Sequence, residues 1–118
     1  MAMTLRQVQE ILRADVLCGT ELLGREVHSA CGSDFMSDVL AYVKDQALLL
    51  TGLVNPQVIR TAEMMDMKCV VFVRGKQPDG MMLDMARARE LVIMTSPMRM
   101  YNACGLLYSA GLVGDCEV

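Results

Sequence analysis

The stretch Ala47-Leu48-Leu49-Leu50-Thr51-Gly52-Leu53-Val54-Asn55-Pro56-Gln57-Val58-Ile59 decides the fold. Its first five residues are apolar up to a terminal Thr and show no polar alternation, the mark of a strand covered on both faces. Gly52 ends that strand. Asn55-Pro56 then supplies an N-cap side chain and a first helical residue that needs no amide hydrogen. Beyond them Val58, Ile59, Ala62 and Met65 recur at helical spacing. A doubly covered strand followed within a few residues by a helix is the repeating unit of a parallel α/β sheet.

The unit recurs on the C-terminal side. Residues 69–73 read as a second buried strand, followed by the polar loop Arg74-Gly75-Lys76-Gln77-Pro78-Asp79-Gly80, a helix over 80–89 and a strand over 91–95. Ser96-Pro97 opens a last helix that runs to about Ala110. On the N-terminal side, Thr4 caps a helix with Leu5, Val8, Ile11 and Leu12 on one face. Residues 16–18 and 26–31 read as short strands, and Ser33 or Asp34 caps a helix presenting Met36, Val39, Leu40 and Val43. The expected class is α/β: a mostly parallel sheet of about five strands flanked by helices, in one domain over residues 1–118.

Composition excludes several functions. Of 118 residues 53% are hydrophobic, and nine glycines come in addition, where a typical globular domain reaches about 45–50% apolar with glycine counted. Disorder is therefore ruled out. A net charge of −3 argues against nucleic acid or an anionic membrane as partner, since both attract basic surfaces. The longest uncharged runs, 46–59 and 100–114, are too short to span a membrane. Residues 1–7 carry no apolar signal core, so a cytoplasmic location is expected.

Five cysteines (18, 31, 69, 104 and 116) include no Cys-x-x-Cys pair, and the single His28 cannot complete a ligand set. Buried thiols in a reducing compartment are expected, with no metal and no cofactor. Cys116 lies between Asp115 and Glu117 and is the thiol expected to be exposed. Those acidic neighbours should raise its pKa and slow its alkylation.

In parallel sheets ligands bind outside the carboxyl ends of the strands. Those ends carry Thr51-Gly52 with Asn55, Arg74-Gly75-Lys76, and Thr95-Ser96. Glycine lets a ligand approach the backbone, hydroxyls donate, and Arg74 and Lys76 attract a phosphate or carboxylate. The same residues are what ordinary turns and caps require, and no G-x-G-x-x-G fingerprint accompanies them. Asp34 and Asp38 share a helix face and suit a helix start. No nucleophile elbow and no His-Glu metal helix occurs, so a non-catalytic role is expected. The alternative is a small enzyme with an anion site built from Arg74, Lys76 and Asp79. Twelve methionines suit either a core or an adaptable self-association surface, and the high apolar fraction favours the surface, hence a homodimer.

The order of segments over residues 5–112 resembles the DRTGG domain family, which is related to the N-terminal domain of HPr kinase/phosphorylase. The resemblance rests on three stretches. Gly32-Ser33-Asp34-Phe35-Met36-Ser37-Asp38-Val39-Leu40 is similar to the Ser-Asp-x-x-Ser-Asp-Val segment of stand-alone members. Residues 47–59 are similar to the central strand and helix, and residues 76–78 with Thr95-Ser96-Pro97 to later loops. The family's Asp-Arg is replaced here by Leu53-Val54, and of its Thr-Gly-Gly only Gly75 survives. The resemblance implies a bacterial, usually dimeric, regulatory or ligand-sensing module acting through a partner enzyme or kinase or a nucleotide-like small molecule. It also implies a tie to hydrogenase or energy metabolism.

Overall fold

The computed structural model describes residues 2–42 and 47–114. Val43 and Cys116, named above, lie outside them. The elements run β1 (Met3–Thr4), α1 (Leu5–Leu12), β2 (Asp15–Cys18), a single 3-10 turn, β3 (Glu26–Val27), β4 (Ser29–Gly32), α2 (Met36–Tyr42), β5 (Ala47–Thr51), α3 (Pro56–Met64), β6 (Cys69–Phe72), α4 (Gly80–Ala88), β7 (Val92–Thr95) and α5 (Met100–Ser109). Five strands form the main sheet in the order β2-β7-β6-β5-β4. β4, β5, β6 and β7 are parallel, and β2 closes the edge antiparallel to β7. This is the mostly parallel, helix-flanked α/β sheet that the sequence leads one to expect.

Alternation along the central strands sends side chains to two cores. Leu48, Leu50, Val71, Val92 and Met94 pack with Leu5, Val8 and Leu12 of α1 and Ala103 and Leu107 of α5. Ala47, Leu49, Val70, Phe72 and Ile93 pack with α2, α3 and α4. All five residues of β5 are buried, as its unbroken apolar run requires. α1 begins with a reciprocal capping box between Thr4 and Gln7, and Asn55 caps α3 ahead of Pro56.

Three local expectations are corrected. Residues 26–31 are two strands, because β3 pairs antiparallel with β1 while β4 pairs with β5. His28 is exposed where the chain changes partner. The last helix starts at Met100 rather than after Ser96-Pro97. The Ser96 hydroxyl donates to the Leu12 carbonyl at 2.7 Å and accepts from the Met98 amide, which holds the segment in a turn. The helix expected to present Leu40 to the core buries Met36 and Val39 and leaves Leu40 exposed.

The methionines are mainly core. Met3, Met36, Met67, Met82 and Met94 are buried, and among the described residues only Met64 and Met81 are exposed. Buried thiols behave as expected for small apolar groups. Burial pushes the Cys69 thiol far up, and raises those of Cys18 and Cys104. Among the described residues no group of three His, Cys, Asp or Glu side chains could hold a metal ion.

Candidate functional site

The parallel strands finish side by side, with Gly32 opposite Leu50, Thr51 opposite Phe72, and Phe72 opposite Thr95. Their outgoing loops and the start of α5 enclose an open cleft of about 550 Å³. Small-molecule sites occupy about 300–1,000 Å³.

Two glycines keep its floor thin. A Cβ on Gly52 would stand 2.9 Å from Arg74 Nη2, and one on Gly32 would stand 2.7 Å from Cys104 Sγ. Asp34 joins the first two loops: its Oδ1 accepts from the Gly52 amide at 2.7 Å and from the Thr51 hydroxyl at 3.1 Å. The carboxylate expected to cap α2 is thus committed to the neighbouring strand end, and Ser33 Oγ instead accepts from the Phe35 amide.

Arg74 and Gly75 both adopt left-handed backbone, φ 60° and 68°. For an arginine that conformation is strained. It is held by two hydrogen bonds, from the Arg74 amide to the Met98 carbonyl at 2.8 Å and from the Gly75 amide to the Ser96 carbonyl at 2.7 Å. The turn aims the Arg74 guanidinium across Gly52. Arg99, the residue before α5, lines the same cleft, and α5 has no side-chain cap. Its first amides therefore keep their hydrogen-bonding capacity. Among the described residues the ion pairs use Arg25, Lys68, Arg87 and Arg89. Neither Arg74 nor Arg99 is in one.

Of the residues expected to bind a ligand, Gly52 and Arg74 line the cleft. Thr51 lies beneath it, donating to Asp34 and accepting from the Leu53 amide. The others are not among the cleft's lining residues. Asn55 caps α3, Gly75 pins its loop, the Lys76 carbonyl accepts from the Thr95 hydroxyl, and Ser96 ties β7 to α1. Of the three residues of the alternative enzyme set, Arg74 lines the cleft, Lys76 and Asp79 are not among its lining residues, and Asp79 caps α4 through the Met82 amide.

The cleft adds Gly32, Ser33, Asp34, Phe35, Arg99 and Tyr101 to the sequence-based set. The strand-end rule, applied to β4 as it was to β5, finds Gly32-Ser33-Asp34. Arg99 and Tyr101 depend on where α5 starts, which a contact 84 residues away decides.

No protein-family model matches the sequence, and no curated protein is significantly similar to it. Among solved structures, the chain is similar to the CBS and DRTGG domains of the regulatory region of Clostridium perfringens pyrophosphatase, complexed with the activator diadenosine tetraphosphate. The TM-score is 0.70 at 12% identity. The match covers 98% of this chain and 52% of the other, so this chain spans about half the length of the one it matches. At that identity the likeness is one of architecture: the chain has a fold similar to a DRTGG/CBS-type regulatory region.

Proposed function

We propose that this chain is a non-catalytic regulatory module that senses a small anionic ligand in the cleft at the carboxyl ends of β4, β5 and β6. The observation that carries the reading is the pair of guanidiniums, Arg74 and Arg99, on the rim of a glycine-floored cleft, neither in an ion pair among the described residues. Guanidinium groups bind phosphate and carboxylate bidentately, and the uncapped start of α5 favours the same charge. The nucleotide activator of the similar pyrophosphatase region supports a nucleotide-like ligand. The family resemblance supports extending the reading to a bacterial, cytoplasmic homodimer that regulates a partner enzyme of hydrogenase or energy metabolism.

The test is a thermal-shift titration of the chain with tripolyphosphate and ATP. Ligand that binds only the folded state stabilises it by about 2.7 kcal/mol at a hundredfold excess over Kd. The expected result is a concentration-dependent rise in Tm of several degrees, lost in Arg74→Ala and reduced in Arg99→Ala. No shift with either compound at millimolar concentration overturns the proposal.

A further inference from the structure

We infer that the anion is a nucleotide, with its base stacked against Phe35 and Tyr101, its ribose on Asp34 and its phosphates on Arg74 and Arg99. This rests on the anion-cleft reading and deepens it by assigning the base, the ribose and the phosphates to named side chains. The chain has only five aromatic side chains, two Phe, three Tyr and no Trp. Phe72 is fully buried in the core, yet Phe35 is 71% exposed and Tyr101 is 89% exposed, and both line this one cleft. Neither ring belongs to either core. Phe35 stands on the loop after β4, immediately before buried Met36, and Tyr101 stands on the first turn of α5. Two flat apolar faces beside a cationic pair match a base next to its phosphates.

Asp34 separates a nucleotide from a plain polyphosphate. Its Oδ1 takes two hydrogen bonds, and Oδ2 has none among the described residues. A carboxylate oxygen repels phosphate and accepts from hydroxyls. Ribose hydroxyls supply those donors, and a polyphosphate does not. Two aromatic walls favour the larger purine face over a pyrimidine.

The experiment is calorimetric titration of the full chain with ATP, UTP and tripolyphosphate. Base–aromatic stacking is worth roughly tenfold or more in affinity. ATP is expected to bind about tenfold tighter than tripolyphosphate, and tighter than UTP. Phe35→Ala and Tyr101→Ala, both at exposed positions, should each weaken ATP about tenfold and leave tripolyphosphate unchanged. Asp34→Asn keeps one acceptor oxygen while removing the charge, so it should weaken ATP and tighten tripolyphosphate. Equal affinity for ATP and tripolyphosphate overturns the nucleotide assignment while leaving the anion cleft standing. UTP binding as tightly as ATP overturns the purine preference, and loss of all binding in the parent chain overturns the cleft itself.

Discussion

A methyl group at Gly52 would meet the tip of Arg74, 2.9 Å away, whereas one at Gly19 would meet Val92 Cγ2 at 2.9 Å and its Cα at 3.1 Å. The first obstacle is the far end of a flexible exposed side chain, and the second includes backbone in the core sheet. Gly19 also sits at φ +86°, which L side chains rarely adopt. Gly19→Ala is therefore expected to cost about 1–3 kcal/mol of stability through strain and overpacking. Gly52→Ala should stay within about 1 kcal/mol of the parent while displacing the guanidinium and weakening tripolyphosphate. Urea midpoints and calorimetric titration of the two variants check this, and parent-like affinity in Gly52→Ala would count against Arg74 as the anchor. Gly52 and Arg74 were legible in the sequence because each follows a recognisable buried strand. Asp34 follows β4 in the same way, but its partners were not legible, since they lie 17 and 18 residues away and meet it only once β4 and β5 are in register.

The elements whose signals are local came through: the apolar run of β5, the Asn55-Pro56 start of α3, and the Thr4 cap of α1. Those that failed depend on distant partners. Residues 26–31 divide because β3 and β4 join different sheets, and no periodicity within six residues records that exchange. The delayed start of α5 depends on Ser96, whose side chain is fully buried and reaches across to Leu12 at the end of α1. Ser96 also supplies the carbonyl that accepts from Gly75, so one residue links α1, β7 and the Arg74 turn. Ser96→Ala leaves the Leu12 carbonyl and the Met98 amide without that partner. Removing one member of a buried hydrogen-bonded pair costs about 1–3 kcal/mol. A drop of that size in the urea midpoint is expected, and a variant as stable as its parent would mean that the tether contributes nothing.

At the scale of the molecule, the surface left uncovered is the outer side of α5. This helix carries no charged residue over Met100–Ser109, and Tyr101, Leu106 and Tyr108 are exposed along it, with Val113 beyond its end. The sequence-based expectation of a self-association surface rested on the methionines. Met94 proves to be core and α3 exposes chiefly Met64, which concentrates the apolar surface on α5. A two-fold contact is the commonest way to cover such a face. The proposed homodimer should appear as a two-chain mass by light scattering at micromolar concentration. Leu106→Arg with Tyr108→Arg, both at exposed positions, should give a folded single-chain species, and a single-chain mass for the parent overturns the dimer. Tyr101 lines both the ligand cleft and the groove beside Leu106, so its ring is shared between the two surfaces. Sites that share a group are coupled, and the coupling is reciprocal: ATP should change the dimer dissociation constant by the same factor by which dimerisation changes ATP affinity. Tyr101→Ala removes the shared ring and should bring that factor towards one.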